Sequence, residues 1–213
     1  MTIATAPLLQ IFAREPEPGA VKTRLAAAIG ASRAAAVYRE LTTITLQNAK
    51  QARATGIVGA VELWCTPTTD SAWFRECATL AAASLHLQAG ADLGARMRHA
   101  LDDGRTRAGR VLLIGTDCPV VDGTALAAAA AMLRTHDAVL GPAEDGGFVL
   151  VGTCVPLHFN NVRMSSAHTT RDTLAAFGRA GIQCGLLPVS WDVDEAADLD
   201  RWQRTRARGV ISA

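Results

Sequence analysis

The sequence predicts an α/β protein with a mostly parallel sheet covered on both faces. Short uninterrupted apolar runs, such as Val111–Gly115 (VLLIG), alternate with longer stretches of approximate helical periodicity. That rhythm breaks at residues 138–152, where two apolar runs follow one another with no helix between them, which predicts one antiparallel insertion. The 213 residues suffice for one domain with a full core, and no linker-like composition divides the chain, so residues 1–213 are expected to form a single domain.

The elements are expected in the following order. Pro7–Ala13 reads as a strand, followed by a Pro/Gly-rich loop over 14–20 and a helix start at Lys22-Thr23-Arg24. Ser32 is expected to cap a helix running to about Arg53, with Ala36, Val37, Leu41, Ile44 and Leu46 as its apolar stripe. A strand at 57–64, a helix at 71–82, a short strand at 85–88 and a helix at 92–107 precede the central strand at 111–115. Asp122 caps the next helix, to about Arg134; strands begin at Ala138 and Phe148. A helix over 169–179, a strand over 182–189 and a helix over 195–206 complete the chain.

Composition excludes several functions. With 21 basic and 20 acidic residues the net charge is +1, so nothing attracts nucleic acid or anionic membrane as a whole, and any anion site must be local. The basic run Arg201, Arg204, Arg206 and Arg208 suits a helix C-terminus and is too short to favour nucleic-acid binding. No apolar run approaches the roughly 20 residues of a membrane span, and residues 1–7 lack a signal-peptide layout. The five scattered cysteines form no metal or disulfide pattern. A cytoplasmic protein acting on small molecules is expected; the oligomeric state is not readable.

In sheets of this kind ligands bind beyond the carboxyl ends of the strands, and four loops there carry unusual chemistry. After the first strand, Gly19 lets backbone approach a ligand, and Lys22, Thr23 and Arg24 sit at a helix start, where cations gain nothing from the helix dipole unless an anion lies between them; a solvated basic turn is the other reading. The spacing matches neither a Walker A loop nor G-x-G-x-x-G. After the central strand, Asp117 either binds a hard divalent ion or caps its turn. In the third loop, Asp145-Gly146-Gly147 fits a hairpin turn, and its glycines would also let a sugar or base lie against bare backbone. In the last, Asp192 and Asp194 fall on one face of an extended segment, with capping of the final helix as the other role open to Asp194. Trp64, Trp73, Trp191 and Trp202 read as core or rim residues, and Trp191, beside the acids, could also stack on a ligand. Cys118 reads as a packing residue, and His86, His99, His136, His158 and His168 show no ligand spacing.

Five segments in register, Phe12–Leu25, Gly90–Met97, Gly115–Pro119, Gly141–Gly152 and Asp192–Leu199, resemble the bacterial glycosyltransferase-A-like (DUF2064-type) family of the nucleotide-diphospho-sugar transferase superfamily. Some of its members are named for glycosyl transfer in arsenosugar biosynthesis. The resemblance implies a GT-A, Rossmann-like three-layer sandwich and a transfer reaction that uses a nucleotide or nucleotide sugar and Mg²⁺ or Mn²⁺. By position it implies that Arg14, Gly19, Lys22 and Arg24 hold phosphates. Asp92 and Arg96 would meet base or ribose, though a cap and a surface arginine are the plainer reading of that pair. Asp117, with Asp194 and Asp192, would hold the metal, and Asp145, Gly146, Gly147 and Trp191 would face sugar or acceptor. Asp117, Asp145 and Lys22 are thus the expected catalytic set. The sequence departs from the family pattern at Arg14 (usually Lys), at Phe148 (usually Tyr) and at Glu195-Ala196-Ala197 (usually Thr-Pro-Glu).

The resemblance favours glycosyl transfer to a small-molecule acceptor. The glycine-containing, dibasic first loop also suits a nucleotidyltransferase that joins a nucleoside triphosphate to a phosphorylated molecule. An inactive nucleotide-binding module is the third reading, disfavoured because every acidic candidate is present.

Overall fold

The computed structural model describes residues 6–207; Arg208 and residues 1–5, on which two of the expectations above fall, lie outside them. The strands are β1 (Leu8–Arg14), β2 (Ala60–Thr66), β3 (Ser84–Leu87), β4 (Val111–Ile114), β5 (Ala138–Pro142), β6 (Phe148–Thr153) and β7 (Cys184–Leu186). The helices are α1 (Thr23–Ile29), α2 (Ala31–Ala54), α3 (Ala72–Ala81), α4 (Leu93–Ala108), α5 (Gly123–Met132), α6 (Thr169–Arg179) and α7 (Ala196–Ala207).

All seven strands form one sheet in the order β3-β2-β1-β4-β6-β5-β7. β6 runs antiparallel to both neighbours, β4 and β5, while every other pair is parallel. This is the α/β fold with one reversed strand that the sequence predicts. Alternation along the strands sends Leu9, Ile11, Leu63, Leu112 and Leu150 to one face, against α2, α3 and α5. The other face packs Leu8, Trp64, Val111, Leu113 and Val151 against α4 and α6. A third cluster joins Leu25 of α1 and Leu41 of α2 to Trp191, Val193 and Trp202, and so holds the last loop and α7 beside the first loop.

Three helix starts are capped by side chains: Ser71 accepts from Phe74 N, Asp92 from Ala95 N and Asp122 from Ala125 N. Ser32 is not the cap of α2. Gly30, at φ +87°, turns the chain between α1 and α2, leaving Ser32 within the first turn of α2. Ala36 is exposed, and Tyr38 takes the inward position instead. β2 begins three residues later than expected because Ile57 N and Val58 N donate to Ala52 O and close the end of α2. β7 is shorter than expected, since Ile182 N donates back to Phe177 O of α6. No helix among the described residues is long and apolar enough to cross a membrane.

Between β2 and α4 the buried Glu62 accepts hydrogen bonds from Gln10 Nε2 (3.2 Å), Trp64 Nε1 (3.0 Å) and Arg107. Burial alone would raise its pKa; the bonds from Arg107, Trp64 and Gln10 together outweigh it and hold the carboxyl below its ordinary value of 4.5. Its stabilisation is therefore complete above that ordinary value and is lost as pH falls through the lower folded-state value. Glu62→Gln is expected to be less stable than wild type at pH 7, with the difference shrinking below about pH 4 in denaturant titrations across pH. Packing on β6 is equally tight. A Cβ on Gly152 would lie 2.5 Å from Leu112 Cδ2 and 2.8 Å from Val139 Cγ1. Gly152→Ala should cost about 1–3 kcal/mol, read by thermal or urea denaturation.

Candidate functional site

β1 and β4 are neighbours, and the chain connections leave them toward opposite edges of the sheet, which opens a crevice beyond their carboxyl ends. Two cavities adjoin there. The wider, about 460 Å³, is lined by Arg14, Lys22, Tyr38, Gln88, Arg96 and Asp194 among others. The narrower, about 300 Å³, is lined among others by Met97, Asp145, Gly147, Phe148, Met164 and Asp192. Phe12, Leu93, Gly115, Asp117 and Ser165 form the wall common to both.

Lys22 occupies the N-cap position of α1 in the left-handed region (φ 47°, ψ 49°), with no side-chain cap bond. That conformation is costly for a residue with a Cβ, and here it aims the side chain inward, leaving it only 6% exposed. Its Nζ lies 3.0 Å from Asp117 Oδ2 and 3.8 Å from Asp194 Oδ1. Burial on its own would lower the Lys22 pKa. The charge and hydrogen bond of Asp117, with the charges of Asp194 and Asp192, outweigh burial and raise the pKa, so the ammonium stays protonated.

Asp117 leaves the end of β4 through Gly115, where a Cβ would stand 2.9 Å from Asp117 Oδ1. Its carbonyl accepts from Val193 N (2.9 Å), which ties the last loop to the central one. Val193 is fully buried, so its neighbours Asp192 and Asp194 turn the other way, toward the crevice. Asp194 does not cap α7: Asp198 Oδ2 accepts from both Asp194 N (3.1 Å) and Glu195 N (2.8 Å). The Asp194 carboxylate is thereby left to Lys22 and to Arg24, whose Nη1 is 2.9 Å away. Among the described residues Asp192 has no such partner. Burial first, then the charge of Asp117, push its pKa up to about 6; Lys22 opposes this, while Asp145 and Asp194 add to it.

Asp145 Oδ1 accepts from Gly147 N (2.8 Å) and so shapes its own turn. Gly146, at φ +85°, meets protein: a Cβ there would lie 2.2 Å from Ala167 O. Thr170 N donates to Gly146 O (2.9 Å), and Thr170 Oγ1 bonds Gly147 O. The need for glycine at 146 is thus close packing on the segment before α6, and of the pair it is Gly147 that lines the narrower cavity.

Of the residues expected at the site, Arg14, Lys22, Arg96, Asp117, Asp145, Gly147, Asp192 and Asp194 line these cavities, and Arg24 joins through Asp194. Asp92 serves as the cap of α4, its backbone carbonyl accepting from Arg96 Nε (3.3 Å). Gly19 lies on the exposed turn before Lys22, outside both linings. Trp191 is not at the ligand face; it is buried in the third core cluster and covered by the Arg201 guanidinium, 4.4 Å from its ring. Two contributors escaped the sequence reading. The Tyr38 hydroxyl accepts from Arg14 N (2.9 Å) and Thr116 Oγ1 (3.0 Å), linking the ends of β1 and β4. Gln88 Nε2 bonds the carbonyls of Ala13 and Trp64. A tyrosine on a helical stripe reads as core, and only its long-range partners reveal the second role.

Among the described residues, one trio of metal-type side chains converges closely: Glu62, His86 and Asp103. It lies beside α4, where Arg107 bonds both carboxylates and supplies the positive charge. The acids at the crevice offer oxygen donors, as Mg²⁺ and Mn²⁺ require; Asp117, Asp145 and Asp192 line the narrower cavity, and Asp117 and Asp194 line the wider one with Arg14, Lys22 and Arg96. The oxygen-donor chemistry of that set fits a divalent cation.

A family of bacterial proteins, described as uncharacterized protein conserved in bacteria (DUF2064), matches residues 45–166, more than half of the chain. The chain belongs to this family. The match contains Asp117 and Asp145 and leaves Lys22, Asp192 and Asp194 outside it. Within solved structures, this DUF2064 protein is similar to a candidate nucleotide-diphospho-sugar transferase from Desulfovibrio desulfuricans G20. The two are 30% identical with a TM-score of 0.82, over 94% of this chain and 87% of the other. It shares its fold, at 7% identity and a TM-score of 0.61, with 4-diphosphocytidyl-2C-methyl-D-erythritol synthase from Anaerococcus prevotii, over 95% of this chain and 99% of that one. A manganese complex of Rv0371C from Mycobacterium tuberculosis is 15% identical with a TM-score of 0.51, over 94% and 100% of the two chains. No curated protein matches the sequence.

The Tyr38 latch is open to a direct test. Tyr38→Phe removes the acceptor of the Arg14 N–H and of the Thr116 hydroxyl, and should cost about 1–3 kcal/mol in urea denaturation.

Proposed function

We propose that this DUF2064 protein is a metal-assisted transferase that takes a nucleotide sugar as donor and passes the sugar to a small-molecule acceptor. The observation that carries this reading is the position of Asp117, on the wall common to two cavities, with Arg14, Lys22 and Arg96 lining only the wider one. The donor phosphates belong among those cations and the acceptor belongs in the narrower cavity, so the reacting bond lies near Asp117. The Desulfovibrio relative, a candidate transferase of the same donor class, supports the choice of donor.

Asp117 and Asp192 would hold the divalent cation, which when bound neutralises the departing nucleoside diphosphate. Lys22 adds positive charge on the same side, fixed in place by the buried stem of its side chain. Asp145, in the narrower cavity, takes the proton of the acceptor hydroxyl. The hydroxyl oxygen then bonds to the anomeric carbon, the bond from that carbon to the diphosphate oxygen breaks, and its electron pair leaves with the nucleoside diphosphate. Nucleotidyl transfer is the second reading, supported by the charged, buried Lys22, which suits an α-phosphate under attack. It would leave Asp145 without a proton to accept, because a phosphate acceptor is already a nucleophile.

Calorimetric titration of nucleotide sugars and nucleoside triphosphates, with and without Mn²⁺, tests the reading. A nucleotide sugar should bind in a Mn²⁺-dependent way, add about 2.7 kcal/mol of stability at 100 times its Kd, and lose this dependence in Asp117→Ala. Binding confined to triphosphates would favour nucleotidyl transfer, and no nucleotide binding in either metal state would remove both readings. Because Lys22 Nζ already lies between Asp117 and Asp194, Mn²⁺ alone should bind weakly. Its affinity should rise about tenfold or more when a nucleoside diphosphate is present, a coupling measured by the same titrations.

A further inference from the structure

We propose that the acceptor is an uncharged or cationic hydroxyl compound with an apolar flank, and not a phosphomonoester. The inference rests on the transfer reading above for the assignment of the narrower cavity to the acceptor. Its own support is the chemistry of that cavity. The charged side chains lining it are Asp117, Asp145 and Asp192, all acidic, and among the described residues no lysine, arginine or histidine lines it. The cations of the crevice are on the other side: Arg14 and Arg96 line the wider cavity alone, and the Lys22 ammonium faces Asp117 and Asp194.

A phosphomonoester carries about −1.5 to −2 charges at neutral pH. In the narrower cavity it would meet three carboxylates, with no lysine, arginine or histidine among the described lining residues. The cation that Asp117 and Asp192 would hold is directed to the donor diphosphate and leaves Asp145 unanswered, and like charges held close in a partly buried site repel strongly. A hydroxyl or an ammonium group meets the opposite situation, with carboxylates ready to accept its protons. The remaining wall is apolar. Phe12, Met97, Phe148 and Met164 contribute aromatic and thioether surface, which favours a ligand with a hydrocarbon face and adapts to its shape. The volume of about 300 Å³ restricts the acceptor to a small molecule.

A matched trio with one apolar body and three head groups tests this: benzyl alcohol, benzylamine and benzyl phosphate, followed by saturation-transfer NMR. The protein is examined alone and with Mn²⁺ and a nucleoside diphosphate present. The alcohol and the amine are expected to bind, and the phosphate to bind at least about tenfold more weakly, equivalent to about 1.4 kcal/mol. Phe148→Ala should weaken both binders. Asp145→Lys, at an exposed position, should reverse the order of amine and phosphate, with a thermal melt confirming that the variant is folded. Benzyl phosphate binding as well as the alcohol, or no binding by any of the three, overturns the inference. The nucleotide titrations above separate the two readings. Nucleotide binding without head-group discrimination removes the acceptor class and leaves the transferase, whereas discrimination without nucleotide binding upholds the cavity's selectivity and removes the transferase.

Discussion

Parallel pairing of β1 with β4 places the ends of two strands, and the loops that follow them, side by side in the middle of the sheet. Because the connections from these strands go to opposite edges, a gap opens between them, and the loops at residues 14–22 and 115–119 border a crevice. The hydroxyl of Tyr38, reaching from α2, fixes both ends at once. Every other part of the site is hung on that frame. Lys22 meets Asp117 across it, Val193 N fastens the last loop to Asp117 O, and the reversed strand β6 delivers the Asp145 turn to its far side.

Charge is sorted within the crevice. Cations collect on the side of the first loop and carboxylates on the side of β6 and the last loop, with Asp117 between. Lys22 can stay charged at a nearly buried position only because acids surround it, and it in turn makes the close approach of those acids tolerable. Asp192, with less of that compensation, shows what the arrangement costs: its carboxyl is pushed to about pH 6. A separate buried charge, Glu62 with Arg107, is compensated inside the protein under α4 and takes no part in the crevice.

Much of this was legible in the sequence, and what was missed has identifiable causes. Strand and helix order could be read because core strands of this fold are unbroken apolar runs and because Ser71, Asp92 and Asp122 are strong caps. The acidic and basic candidates were visible because they interrupt such runs at strand ends. Hidden features depend on distant contacts. Tyr38 resembles any core aromatic until Arg14 N and Thr116 meet it. Trp191 suited both core packing and a ligand platform beside the acidic pair, and packing between α1, α2 and α7 decides for the core. Whether Asp194 caps α7 or faces the crevice was also undetermined locally; Lys22 and Arg24, distant in sequence, hold its carboxylate, while Asp198 Oδ2 accepts from Asp194 N and Glu195 N.

The contact between Gly146 and Ala167 bears on how selectivity could change in this family. With the Ala167 carbonyl filling the space a side chain would need, and Thr170 bonding both Gly146 O and Gly147 O, the Asp145–Phe148 turn and the 164–170 segment are packed and hydrogen-bonded to one another. They supply facing walls of the same cavity, Phe148 on one and Met164 on the other. A relative that evolves toward a larger or differently shaped partner molecule therefore has little freedom in the backbone of either loop. Side-chain size at positions such as 148 and 164 is the freer variable, since a Cβ at 146 would strike the Ala167 carbonyl. The same coupling makes the two loops a natural unit to transplant together when specificity is redesigned.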